Sequence, residues 1–340
     1  MMYLMIAGGL LLLFVGGEAL VRGSVSVARR LGISELVIGL TLVGFGTSVP
    51  ELVTSLEAVA KGAVGISVGN VIGSNIANIL LVLAIAAILS PIVVQLRAIA
   101  RDGSFMVAVT GVFCVLLWFD QFSRLTGVLL VAVLAAYLVF SILADRRRHD
   151  PGAEMPAQEA EPVDAGYGLL LGSGMAIAGL VGVVAGANFL VTGSVSLARS
   201  FGISETIIGL TIVAVGTSLP ELATSVVAAL RRKADVAIGN IIGSNIFNIL
   251  GIMGVTAMVY PFSIRPSPAA EGMARGEPVS LISMTDISTL ILSVLLLVLF
   301  ALTGRRLSRW EGSILLGGYM LYMGLIFGLV PAPGGPGFGG

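Results

Sequence analysis

Gly46-Thr47-Ser48-Val49-Pro50-Glu51 sets a carboxylate, two hydroxyls and a helix-breaking proline inside an otherwise apolar run, and Gly216-Thr217-Ser218-Leu219-Pro220-Glu221 does so again. Pro50 has no N–H to return to the carbonyl of Gly46, and Gly46 loosens the backbone, so a helix here breaks or kinks and frees carbonyl oxygens. Thr47 and Glu51 are four residues apart and Ser48 and Glu51 three, which directs hydroxyls and carboxylate to one side once the helix resumes. A second motif, Gly69-Asn70-Val71-Ile72-Gly73-Ser74-Asn75-Ile76-Ala77-Asn78, spaces Asn70, Ser74 and Asn78 at i, i+4 and i+8, and its copy carries Asn240, Ser244 and Asn248. Carboxylate, hydroxyl, amide and carbonyl oxygens, with no nitrogen or sulfur ligand, are hard donors. They suit calcium, magnesium, manganese or an alkali cation, and flexible multi-oxygen coordination favours calcium over magnesium.

The elements that position these residues follow from composition. At 56% hydrophobic residues, 11% charged and mean hydropathy +1.04, the chain lies far from soluble domains and reads as an all-α polytopic membrane protein. A single Cys114 and a single His149 exclude a disulfide framework and any site of clustered His or Cys, and with them most enzyme chemistry. Apolar runs near 2–29, 34–60, 64–89, 101–119, 124–144, 166–198, 204–230, 235–261, 284–303 and 310–330 give five spans and five more. The first run is too long for a signal peptide and reads as a retained helix. In that setting an Asn or Ser stripe alone is more often interhelical glue than a ligand. An acid at the bilayer centre does not, because it costs at least ~2.5 kcal/mol and marks function by default.

Residues 24–80 align with 194–250 without a gap, 33 of 57 pairs identical. A duplicated unit with an odd number of spans must enter the bilayer from the opposite side, so the expectation is ten transmembrane helices as two inverted five-helix repeats. The division is 1–145 for the first repeat, 146–165 for a polar linker, 166–330 for the second repeat and 331–340 for a disordered tail, with an exposed loop at 262–283. Fourteen of nineteen Lys and Arg residues, among them Arg22, Arg29, Arg101, Arg231 and Lys233, fall at odd-numbered loops. The positive-inside rule makes those loops and the linker cytoplasmic and both termini extracytoplasmic. Inverted repeats with interrupted helices place a transporter's site at the repeat interface near the midplane.

Other charges have local uses. Glu57, whose copy is Val227, sits near a span end and reads as solvated or paired; Glu18 and Arg22, four apart, pair with each other. Glu35 and Glu205 follow Ser34 and Ser204 at helix starts and read as caps.

The doubled Gly-Thr-Ser-X-Pro-Glu and Gly-Asn-X-X-Gly-Ser-Asn-X-X-Asn motifs closely resemble the paired repeats of the sodium/calcium exchanger branch of the cation/calcium antiporter superfamily, over nearly the whole membrane domain. The resemblance is to a prokaryotic-type exchanger without a large regulatory domain. It implies a secondary antiporter exchanging sodium for calcium by alternating access, electrogenic if three sodium ions move per calcium. Its substrates would be calcium and sodium, with no cofactor and no nucleic acid, in a monomer in the cell membrane. Carried over by position, Glu51, Glu221, Thr47 and Thr217 would hold calcium, the threonines through backbone carbonyls. Sodium would use those glutamates with Ser48, Ser218, Ser74 and Ser244 and carbonyls near Gly44 and Ala214, and Asn78 and Asn248 would fill the remaining corners. Some relatives, including the potassium-dependent branch, carry Asp where this chain has Asn248, which leans this chain toward potassium independence. The nearest alternative is exchange of calcium, or another divalent cation, for protons. Helices 1 and 6, the first about 42 Å long at 1.5 Å per residue, would slide past the core. Gly8, Gly9, Gly16 and Gly17 in one and Gly168, Gly172, Gly182 and Gly186 in the other provide close-contact faces.

Overall fold

The computed structural model describes residues 1–96, 99–146, 167–201, 214–264, 283–304 and 306–327. Most of the linker, the tail, most of the 262–283 loop, Glu205 and the first ten residues of the seventh expected span lie outside them. Helices form at each of the ten expected places. They are α1 (Met2–Leu31), the broken pair α2 (Glu35–Thr47) and α3 (Val49–Ala60), α4 (Val64–Leu89), α5 (Ile99–Phe119), α6 (Arg124–Arg146), α7 (Leu169–Ser200), α8 (Leu219–Leu230), α9 (Ala234–Val259), α10 (Met284–Gly304) and α11 (Arg309–Ile326). Seven of these are single helices long and apolar enough to cross a membrane, and the α2–α3 pair makes an eighth. The protein is an all-helical integral membrane protein.

Backbone contacts show the inversion directly. Along α1 the glycines Gly9, Gly16 and Gly23 meet Gly186, Gly179 and Gly172 of α7 in descending order, so the two copies of the first helix run antiparallel. A Cβ on Gly23 would lie 2.4 Å from the Ala176 nitrogen and one on Gly179 2.3 Å from that of Leu20, contacts only glycine permits. Gly127 of α6 meets Gly254 of α9, and the counterpart pair Gly312 of α11 and Ala84 of α4 meets in the same way. The short antiparallel pair β1 (Ile92–Val93) and β2 (Arg306–Leu307) likewise has its image in the bridge between Phe262 and Phe122.

These pairings carry the duplication beyond the segment where sequence identity is dense. Ser123-Arg124 and Gly127 correspond to Ser308-Arg309 and Gly312. Asp102 accepts from the Tyr137 hydroxyl at 3.0 Å as Asp286 does from Tyr322 at 2.9 Å. Here the offset is about fifteen residues larger than in the first three helices, because 24 residues of sequence separate α9 from α10 and 9 separate α4 from α5.

α4 and α9 form the centre, with 78% and 83% of their apolar windows buried, against 28–39% for the other five single apolar helices. Lipid tails are as apolar as leucine, so the outer helices gain little from burial and depend on close packing and polar ties. Charged ties collect at one end. Glu35 pairs with Lys233 at 2.7 Å and Arg29 at 3.9 Å, and Glu18 with Arg22 and, at 2.7 Å, Arg231. Glu35 thus does more than cap α2, since Ser34 Oγ accepts from Val37 N at 3.3 Å and performs that task. Glu57 pairs with Lys61 at 3.0 Å on the surface, as its position implied.

Of the glycines expected to give close-contact faces, most pair α1 with α7, Gly17 meets Val227 of α8, and only Gly8 and Gly168 depart from the expectation, meeting nothing within 4 Å. Toward the remaining helices the pair is asymmetric. α1 packs along α8, whereas neither α1 nor α7 makes more than marginal contact with α3, the copy of α8. Pro220 and Thr224 are accordingly buried, while Pro50 is half-buried and Thr54 exposed.

Candidate functional site

α2 ends at Thr47, α3 begins at Val49, and their axes differ by 44°. Ser48 at the joint has φ −88° and ψ 8°, and Ser218 in the copy has φ −87° and ψ 5°. Pro50 and Pro220 fall in the first turn of the resumed helix, where a missing N–H costs nothing. Glu51 and Glu221 stand in the same turn, at the positive end of the helix dipole.

Both carboxylates are 1% exposed and close enough to repel one another. Ser48 Oγ donates to Glu221 Oε1 across the pseudo-twofold axis at 2.9 Å. The other Glu221 oxygen, both Glu51 oxygens and the amide oxygens of Asn78, Asn248 and Asn245 are buried without a hydrogen-bond partner. A buried acceptor left without a donor costs about 1–3 kcal/mol, and more when charged. Six such acceptor oxygens, against one unpartnered amide nitrogen on Asn75, leave a surplus of acceptors that cations satisfy.

Crosswise packing makes this one site. Asn78 and Asn248 each open a π-helical turn, Asn78–Leu83 and Asn248–Met253, of the kind that often marks functional positions. α3, with Glu51, packs on the turn that begins at Asn248, and α8, with Glu221, on the one that begins at Asn78.

The remaining candidates divide into those at the cluster and those behind it. Thr47 is buried, with its one hydroxyl hydrogen shared between Gly44 O and Asn240 Oδ1, both at 3.3 Å. Its side chain also interacts with the Glu221 carboxyl group, so the hydroxyl stands at the edge of the cluster as well as against α9. Thr217 is half-buried, and Ser218 and Ser74 are buried. Ser244 Oγ donates to Gly44 O at 3.0 Å. Asn70 and Asn240, expected to line a wall, act as braces. Asn70 Nδ2 donates to Glu51 O at 3.1 Å and Ser55 Oγ at 3.0 Å, and Asn240 Nδ2 to Glu221 O at 3.4 Å and Ser225 Oγ at 2.8 Å. These amides hold the main chain behind each carboxylate. Ser55, Ser225, Asn75 and Asn245 were not among the sequence candidates, although all four are identical between the copies. Among the described residues no three His, Cys, Asp or Glu side chains gather, so the site's negative charge comes from two glutamates.

A cluster of buried acceptor oxygens between inverted halves of a membrane protein has the chemistry of a cation-transport site. The sequence profile of the sodium/calcium exchanger protein family matches residues 1–143 and 171–328, and the chain belongs to that family. It is 36% identical to the putative antiporter CaxA of Alkalimonas amylolytica, over 94% of this chain and 96% of that one. It is 34% identical to the sodium/calcium exchanger MaX1 of Methanosarcina acetivorans, over 96% and 98%. Among solved structures, the sodium-calcium exchanger NCX_Mj soaked with 10 mM Na+ and zero Ca2+ superposes with a TM-score of 0.77 at 33% identity, covering 94% of this chain and 98% of that one. NCX_Mj has also been soaked with 10 mM Na+ and 10 mM Sr2+, where the TM-score is 0.76.

Proposed function

We propose that the protein exchanges sodium for calcium across the cell membrane, by alternating access and independently of potassium. The observation that carries this reading is the set of buried, donorless oxygens on Glu51, Glu221, Asn78 and Asn248. Two carboxylates bring −2 to a low-dielectric site, which one calcium ion neutralises and two or three sodium ions equally occupy. Both sets need the same carboxylates and so exclude each other, and the ion-free −2 site is costly to carry across hydrocarbon. Exclusion combined with a costly ion-free crossing couples the two fluxes. Asn248 in place of an acid leaves no third charge for a potassium ion to balance.

Calcium-45 uptake into proteoliposomes tests the coupling. Uptake is expected to follow an outward sodium gradient, to ignore potassium, and to quicken with an interior-positive potential, since each net charge moved is worth about 2.3 kcal/mol per 100 mV. Uptake driven by a pH gradient alone would transfer the reading to proton exchange.

With the basic loops cytoplasmic and both termini outside, α3 belongs to the outer half and α8 to the inner. The seating of α1 along α8 then closes the inner path, and the α1–α7 pair is the part that moves. A Cβ on Gly17 lies 3.7 Å from that of Val227, within the disulfide window of about 3.5–4.5 Å. In a Cys114→Ser background, oxidised Gly17→Cys/Val227→Cys protein should stop exchanging and recover on reduction. Undiminished exchange by the oxidised pair would refute the moving unit.

A further inference from the structure

The two copies of the Gly-Ser-Asn segment do unlike things. Asn248 Nδ2 donates to Asn75 Oδ1 at 3.1 Å across the repeat interface, and both side chains are buried. Asn245, the copy of Asn75, instead turns its Nδ2 back to Ile241 O at 2.7 Å on its own helix and leaves its oxygen unpartnered.

A carboxamide has two unlike ends of nearly equal size. At the edge of a cation site that difference decides whether the group attracts or repels the cargo, since Oδ1 is a ligand while Nδ2 presents two positive hydrogens. Asn248 Oδ1 is one of the donorless oxygens, and Asn75 accepts from the opposite end of the same amide. Reversal against a stationary Asn75, whose own Nδ2 is buried without a partner, would remove an oxygen from the cluster, aim two hydrogens at it and leave Asn75 Oδ1 facing another acceptor.

We propose that Asn75 is a positioning residue which fixes the Asn248 amide with its oxygen toward the transported calcium. The assignment rests on the sodium/calcium reading above. Asn75 itself touches no ion; it acts through Asn248, and only because Asn248 is an amide. An aspartate at 248 has two equivalent oxygens and needs no such orientation.

That difference is the test. Calcium-45 binding to purified full-length protein is measured by equilibrium dialysis, which does not depend on the counter-ion, for Asn75→Leu in the parent and in Asn248→Asp. Leucine keeps the branched outline of asparagine, with a larger volume, and removes the acceptor. Losing one oriented ligand should weaken binding on the order of tenfold in the parent and by no more than about twofold in Asn248→Asp, where the oxygens are equivalent. Equal weakening in both backgrounds would mean that Asn75 only packs, and no weakening in the parent would mean that Asn248 orients itself. Either result overturns the proposal. Where leucine misfolds, Asn75→Ala serves the same comparison. A parent protein that binds no calcium would remove the exchange reading and this inference together, a result distinct from calcium binding that is indifferent to Asn75.

Discussion

Glu221→Gln and Glu51→Gln should each lower sodium-driven calcium exchange by on the order of 10²–10³-fold, the equivalent of the about 3–5 kcal/mol lost when one partner of a buried ion pair is removed. The melting temperature should stay the same or rise. Glutamine keeps the volume of glutamate, and at 221 its Oε1 can still accept from Ser48. What disappears is the cost of burying an acid whose oxygens lack donors, and the repulsion between the two acids. The stabilisation should be larger at Glu51, whose two oxygens both lack partners, than at Glu221, which keeps one hydrogen bond. A structural acid behaves in the opposite way, losing stability along with its partner. Calcium-45 exchange and thermal unfolding of the same preparations separate the two cases. Parental rates in both variants would remove the carboxylates from the site.

Much of this was legible because membranes restrict what a sequence can hide. Prolines at 50 and 220 in apolar runs have few uses other than a break, and acids beside them have few uses other than binding, so the 44° joint and its carboxylates were readable from residue types. The inversion followed from an odd span count. The π-helical turns at Asn78 and Asn248 were not readable. They lengthen the hydrogen-bond loop without a distinctive residue, and it is packing against the opposite repeat that sets where they fall. Nor could the sequence separate ligands from braces. Asn70 and Asn78 share one face by spacing, but α3 draws the first behind Glu51 while the π turn leaves the second in the cluster. Near-identical copies also concealed their own asymmetry. Asn75 and Asn245 are the same residue in the same motif, and only the three-dimensional arrangement gives one of them Asn248 to hold.

Gly243→Ala should damage both stability and cation affinity, and the reason lies in how α2 meets α9. A Cβ at Gly243 would stand 2.2 Å from the Leu40 carbonyl oxygen and 2.7 Å from the Leu40 carbonyl carbon. Those atoms are backbone and cannot rotate away, so the helices must separate. Overpacking of this kind costs about 1–3 kcal/mol even where side chains can yield, and here the upper part of that range is expected. Separation has a second effect. The Gly44 carbonyl, one helical turn beyond Leu40, accepts from Ser244 Oγ at 3.0 Å and Thr47 Oγ1 at 3.3 Å. Ser244 is the residue after Gly243, so the displaced contact is the one that sets Gly44 O, and with it the joint leading to Ser48 and Glu51. Calcium half-saturation in sodium-driven exchange should therefore rise several-fold as the melting temperature falls. Gly174→Ala is the control, since a Cβ there meets nothing within 4 Å and should slightly favour the helix, by up to about 1 kcal/mol. If Gly243→Ala lost stability but kept the parental calcium dependence, the α2–α9 contact would be a packing seam without influence on the site.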